Sequence, residues 1–304
     1  VSQLSSNTVS QLEEEREILE RLQEIQDKIS IKRAHYAELV KKFADSMPSK
    51  PNYYTTVSKF IDKAVIEDEC VFYIVYGPLR YGKTAYAVKS IAPIYDTWSP
   101  QILKQFIVFK PIEFCTRLKR IIEMKQKFPC FVWDDAGVWL NALKHNDPII
   151  KRVGEYFQTI GTHFNAVLLT SPLPSYIVKR LRGLPNCVNI RIYKLHQYAN
   201  KMRLAKGYYF NLLPDMKKTT VKPIIDDRFS AIMPTVFYDW YKPYRQLYAD
   251  ESFQAFEQQL YADAQEQLNK EEKPPEFNKE SKFYKSSVEP TEELIGTEDE
   301  LNED

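Results

Sequence analysis

The chain has 304 residues, with 42 Lys and Arg against 41 Asp and Glu and a net charge of +1; this length holds one large or two modest domains with a real core. No apolar run approaches the roughly 18 residues of a membrane span, and Val1-Ser-Gln-Leu-Ser-Ser-Asn7 has neither the basic start nor the apolar centre of a secretory signal. The cysteines Cys70, Cys115, Cys130 and Cys187 follow no metal-ligand spacing and read as buried thiols in a reducing cytoplasm.

In chain order, residues 9–45 come first as a long helical candidate. Ile18, Leu22, Ile25, Ile29, Lys32, Tyr36, Leu39 and Phe43 recur at the 3-4 spacing of a heptad seam among Glu, Gln, Lys and Arg. That pattern suits a coiled coil, with another protein or within the chain, or an amphipathic helix packed on its own core. Ser46-Met-Pro-Ser-Lys-Pro51 is a linker whose prolines stop the helix.

A helix is expected over 56–66. The apolar run Cys70-Val-Phe-Tyr-Ile-Val-Tyr76 follows, which reads as a parallel strand buried on both faces. Next stands Gly77-Pro78-Leu79-Arg80-Tyr81-Gly82-Lys83-Thr84, a full match to the phosphate-binding pattern G-x-x-x-x-G-K-[ST]. A helix is expected from Lys83 to about residue 95. Strand, glycine-bounded loop and helix are the context the motif requires. Backbone N–H groups and the helix dipole would cradle phosphates, Lys83 would reach the β- and γ-phosphates, and Thr84 would ligate Mg²⁺. The pattern does not separate ATP from GTP.

The alternation continues with a strand at 105–110, a helix opened by Pro111, and the apolar strand Cys130-Phe-Val-Trp133. That strand runs into Asp134-Asp135. Asp134, at the tip, is placed to hold Mg²⁺, and Asp135 to orient or deprotonate the attacking water; a turn or capping pair is the plainer alternative. A helix over 148–160 leads to the strand Asn165-Ala-Val-Leu-Leu-Thr170. Thr170 at its tip would sense the terminal phosphate or position the water. A short helix near 174–182 and a fifth strand, Cys187–Tyr193, complete an α/β three-layer sandwich with a mostly parallel five-stranded sheet. Strands at 187–196 and 202–211 form an appended hairpin. Residues 234–267 read as helical and aromatic, and the Lys/Glu/Pro-rich then acidic end reads as disordered. The expected domains are a helical segment at 1–48, an ATPase core with hairpin at 49–215, a helical segment at 216–268 and an acidic tail at 269–304.

The phosphate loop, the strand ending in an acidic pair and the polar-tipped strand after it resemble the additional-strand P-loop ATPases, among them AAA+ and RecA-like proteins. Pro174-Ser-Tyr-Ile-Val-Lys-Arg180-Leu-Arg182-Gly is similar to the segment of DnaA-type AAA+ initiators that carries an arginine finger. The resemblance implies ATP hydrolysis with Mg²⁺ in a homo-oligomer, with Arg180 or Arg182 reaching a neighbour's γ-phosphate. Where AAA+ proteins usually carry Glu as the catalytic carboxylate, Asp135 stands. The tyrosine-rich, glycine-poor style resembles ATPases of archaeal viruses and plasmids.

Eight acidic residues without a Lys or Arg fill the last 16 positions, and against the net +1 they leave +9 on the remainder. No acid occurs between Glu155 and Asp215. In the span 176–209, Lys179, Arg180, Arg182, Arg191, Lys194, Lys201, Arg203 and Lys206 interleave with Tyr176, Tyr193, Tyr198, Tyr208 and Tyr209. Cations that neutralise phosphates beside rings that stack on bases suit single-stranded DNA; an ordinary solvated face is the alternative. Two functions follow. One is an oligomeric DNA-directed ATPase of a mobile element, serving replication, partition, transfer or packaging. The other is a nucleotide-dependent switch or scaffold that recruits a protein through residues 9–45.

Overall fold

A computed structural model describes residues 2–184, 186–195, 201–213 and 218–271. The elements, in order, are α1 (Ser2–Asp45), α2 (Thr56–Ile66), β1 (Val71–Tyr76), α3 (Lys83–Ile91), α4 (Pro100–Leu103), β2 (Ile107–Val108), α5 (Pro111–Met124), β3 (Phe128–Trp133), α6 (Ala136–Trp139), α7 (Pro148–Tyr156), β4 (Phe164–Ser171), α8 (Lys179–Arg182), β5 (Cys187–Lys194), β6 (Met202–Leu213), β7 (Lys218–Ser230) and α9 (Thr235–Glu271). Contacts divide the chain into two units, one up to Tyr248 and one from Ala249 on. The described part of the second is helical, with Phe253, Phe256, Leu260 and Tyr261 exposed and Gln259 donating to Asp263 at 2.7 Å one turn on.

The sheet runs β2-β3-β4-β1-β5-β6-β7. The first five strands are parallel, and β6 and β7 add antiparallel. Among the described residues the sheet therefore has seven strands, one more than five parallel strands with a β5–β6 hairpin supply. The hairpin of β5 and β6 forms as expected, and β7 extends the sheet across residues 218–230, within the stretch expected to be helical. Pro223, Asp226 and Asp227 hide this strand from a pattern reading, since proline and aspartate are depleted in strands. The strand tolerates them near the sheet's edge, where a bulge shifts the β6–β7 register at Gly207/Tyr208.

Alternation along the strands builds two cores. Tyr73 and Val75 face one side with Val57 and Ile61 of α2, Ala85 to Ile91 of α3, and Phe237 and Tyr241 of α9. Phe72 and Ile74 face the other, with Phe114 and Leu118 of α5 and Ile150 of α7. Three helices begin where their sequence dictates. Thr55 caps α2 by accepting the Ser58 N–H at 3.0 Å, Pro111 opens α5, and Asp147 caps α7 by accepting the Ile149 N–H at 2.8 Å. Helix α1 is 44 residues long. The side chains of Ile18, Leu22 and Ile25 on its seam lie outside the described residues, while Ile29, Tyr36 and Leu39 are exposed; a coiled coil is not established. The acidic end, 289–304, also lies outside the described residues. Among those described, no helix is long and apolar enough to cross a membrane.

Candidate functional site

The C-terminal ends of β1, β3 and β4 gather the polar residues that the apolar strands carry at their tips. β4 lies between β1 and β3, so the glycine loop after β1 and the acidic pair after β3 flank the tip of β4. Tyr76 pairs in register with Ser171, and Trp133 with Leu169. Sheets of this topology bind ligands beyond the carboxyl ends of their strands.

Residues 77–84 form the turn between β1 and α3. Gly82 has φ +93°, and a Cβ there would stand 2.8 Å from the Ala231 Cβ. Glycine is thus required twice, by backbone conformation and by the chain after β7. Arg80 is left-handed too, at φ +64°, and Pro78, Leu79 and Arg80 form the exposed crest of the loop. Because its N-cap is glycine, α3 starts with no side chain over its first N–H groups, which leaves its dipole available to an anion.

Lys83 is only 6% exposed. Its ammonium donates to the carbonyls of Gly77 at 3.0 Å and Pro78 at 3.1 Å. Burial lowers its pKa, opposed by Asp135 and Asp134 and reinforced by Arg245. A buried cation held by two neutral carbonyls is suited to an anionic ligand.

Asp134 is fully buried and accepts three hydroxyls. Thr84 lies 2.8 and 3.0 Å from its two oxygens, Thr170 donates to Oδ1 at 2.6 Å, and Tyr241 of α9 donates to Oδ2 at 2.7 Å. Thr170 also accepts the Asp135 N–H at 2.8 Å, so one β4 side chain holds both acids. Asp135 stands at φ +51° as N-cap of α6, yet its side chain does not cap that helix; its Oδ2 pairs instead with Arg245 at 3.5 Å. Burial and the neighbouring Asp134 raise its pKa to about 6, against the pull of Arg245 and Lys83. The Arg245 guanidinium loses by burial, but Tyr241, Asp134 and Asp135 outweigh this and raise its pKa. All-oxygen donors, Thr84 and Asp134, beside a buried ammonium fit a hard cation held with a phosphate.

The residues expected at the site thus meet, except the two finger candidates. Arg180 pairs with Glu155 at 3.8 Å, and Arg182 donates to the Ile177 carbonyl at 2.8 Å. The basic span also divides. Arg203 is buried and supports the glycine loop, donating to the Tyr81 carbonyl at 3.0 Å. Burial lowers its pKa, with Tyr36 and Tyr81 opposing. Lys201 lies over the Tyr36 ring of α1 at 5.4 Å. Tyr198 falls outside the described residues. Tyr241 and Arg245 were missed as site residues. The aromatic stretch 237–248 is visible in the sequence, but nothing in its spacing signals that one hydroxyl and one guanidinium return to the acidic pair.

The architecture is an α/β fold with a mostly parallel sheet and a G-x-x-x-x-G-K-[ST] loop between β1 and α3. No family model matches the chain. It is similar to protein B-251 of Sulfolobus spindle-shape virus 1, an uncharacterized protein, at 24% identity over 221 residues, 66% of this chain and 82% of that one. Among solved structures it is similar to the N-terminal domain of zonular occludens toxin from Neisseria meningitidis, at 13% identity and a TM-score of 0.31, covering 56% of this chain and 98% of that one. It is also similar to the flagellar accessory protein FlaH from Methanocaldococcus jannaschii, at 12% identity and a TM-score of 0.30, covering 60% and 99%.

Proposed function

We propose that the chain is a Mg²⁺-dependent nucleoside-triphosphate hydrolase, an ATPase of the additional-strand P-loop class. The observation that carries this reading is the Thr84–Asp134 contact at 2.8 Å, made across 50 residues beside a buried Lys83 and with β4 interposed. Lys83 and the loop amides of 77–84 bind the β- and γ-phosphates, and Thr84 with Asp134 holds the metal. Mg²⁺, when bound, neutralises charge developing on the phosphoryl oxygens. Asp135 orients the attacking water and takes its proton. Thr170 spends its hydroxyl on Asp134 and Asp135 and acts as a positioning residue. Arg180, half exposed on its surface helix, or Arg182 acts on a neighbouring subunit's nucleotide in a homo-oligomer.

The DNA-directed part of the reading is supported by a half-exposed sheet face on which Arg191 is the exposed member. Arg191 pairs in register with Tyr76 on one side and with Lys206 on the other, and Asn189 with Tyr208. Like charges directly opposite each other repel unless something anionic lies across them; Asp226, opposite Lys206 on β7, offsets part of this. Arg191 covers the Tyr193 ring at 4.9 Å. The Tyr76 phenol is raised by burial, with Arg191 opposing and Tyr193 and Tyr208 adding, so these rings and cations form one cluster. Aromatic and cationic groups on a sheet suit a single strand. The viral relative supports a mobile-element setting.

The test is the ATPase rate with and without single- and double-stranded DNA, over a range of protein concentration. Mg²⁺-dependent turnover, rising with DNA and more than linearly with protein, is expected. No nucleotide binding overturns the reading. Turnover indifferent to DNA but altered by deleting residues 1–48 favours a switch whose partner engages α1, a role supported by the exposed Ile29, Ile31 and Leu39.

A further inference from the structure

Two carboxylate oxygens offer about four acceptor positions, and on Asp134 three protein hydroxyls converge on them. Two of these belong to the framework of the site. Thr84 stands in the first turn of α3, and Thr170 is fixed through its second bond, from the Asp135 N–H. The third, Tyr241, comes from α9, a helix outside the strand-and-loop framework. One turn further on, Arg245 of the same helix takes an oxygen of Asp135. One helix therefore reaches both carboxylates.

The backbone between these two contacts is weakened. Pro243 stands inside α9 and has no N–H to give to the Asp239 carbonyl, so that turn lacks a hydrogen bond. Tyr244 meanwhile ties the helix to α5, donating to Glu113 at 2.5 Å. The helix thus has an anchor independent of the acidic pair, next to a compliant turn. The Tyr241 ring is buried beside Phe237 and Phe109, so its hydroxyl reaches Oδ2 from an apolar pocket.

Three hydroxyls leave about one acceptor position open on Asp134, so a hydrated metal held at Thr84 and Asp134 would take any further hydrogen bond at the expense of Tyr241, the donor from outside the framework. We propose that Tyr241 is a positioning residue whose hydrogen bond to Asp134 competes with Mg²⁺–nucleotide, so that α9 loosens at residues 235–248 when the site fills and thereby reports its occupancy. The proposal rests on the nucleotide-site reading above.

The experiment is amide hydrogen exchange on the full chain, with and without Mg²⁺ and a non-hydrolysable ATP analogue, with binding of the analogue measured separately. In the wild type, exchange over 235–248 should rise roughly tenfold on binding, the effect of losing one hydrogen bond to a charged group. Tyr241→Phe keeps the ring packed; it should exchange fast in both conditions and need roughly tenfold less Mg²⁺ for half-maximal analogue binding. A merely structural tyrosine would speed exchange without lowering the Mg²⁺ requirement. An unchanged or higher requirement therefore overturns the proposal, as does unaltered wild-type exchange with the analogue bound. Failure to bind the analogue at all overturns the nucleotide-site reading together with it.

Discussion

Thr170, at the end of β4, and Asp134, directly after β3, lie 2.6 Å apart, hydroxyl to carboxylate. Because Thr170 simultaneously accepts the Asp135 N–H, the spacing of the two acids depends on one β4 side chain. Thr170→Val keeps the shape and removes both bonds. Turnover should fall about 10²-fold, the scale of a misplaced catalytic group, with nucleotide affinity little changed. Thr170→Ser should restore it. Single-turnover kinetics alongside equilibrium binding separates the two effects, and a valine variant with normal turnover would remove Thr170 from the site.

Lys83→Ala and Asp135→Asn should divide binding from chemistry. The first removes the buried ammonium and should weaken nucleotide binding at least ~10²-fold, about the value of a charge-assisted contact in a buried site. The second should leave binding intact and lower hydrolysis by about 10²–10⁴-fold. Full turnover in Asp135→Asn would show that another group handles the proton.

Arg180→Ala and Arg182→Ala test action between subunits. If one arginine serves a neighbour, its variant should lose turnover alone and regain part of it when mixed with the Lys83→Ala protein. That mixture supplies intact arginines and intact phosphate sites on different chains. Absence of rescue for either variant would leave these arginines with their contacts to Glu155 and Ile177.

Asp227 of β7 is buried and accepts the Tyr86 hydroxyl at 2.6 Å, and the Thr56 N–H and hydroxyl at 2.9 and 2.6 Å. It joins the phosphate-loop helix, α2 and the late strand. Tyr86→Phe leaves one acceptor position unmet and should cost about 2 kcal/mol of unfolding free energy, read from urea denaturation.

Lys89 on α3 is held by burial at a pKa of about 8, down from 10.5, with the Trp98 ring 5.9 Å away. Below about pH 8 the folded protein carries this charge at a cost. Between about 8 and 10.5 the unfolded chain binds more protons than the folded one, so this group raises stability with pH. Lys89→Met should accordingly be the more stable protein at pH 7, by about 1–2 kcal/mol once partial exposure and the ring contact are discounted. The difference should vanish near pH 10.5. Parallel urea titrations of both proteins at pH 7 and pH 10 check the sign.

The sequence by itself determined the parallel core and the polar residues at its edge. Apolar runs such as 71–76 and 128–133 become inner strands because they bury both faces, and polar residues directly after them emerge at the strand tips. That is why Lys83, Thr84, Asp134, Asp135 and Thr170 were legible and do converge. Tertiary structure decided what local pattern cannot encode. β7 forms despite Pro223 and Asp226 because antiparallel pairing with β6 outweighs weak strand propensity. Arg203, one cation among eight in the acid-free span, is buried against the Tyr81 carbonyl, whereas Arg191 stays exposed. Tyr241 and Arg245, 107 and 110 residues beyond the acids they touch, reach them only because α9 folds back over the core shared by β1 and α3. Contacts at that separation depend on how helices are laid against a finished sheet, and no spacing within the helix announces them.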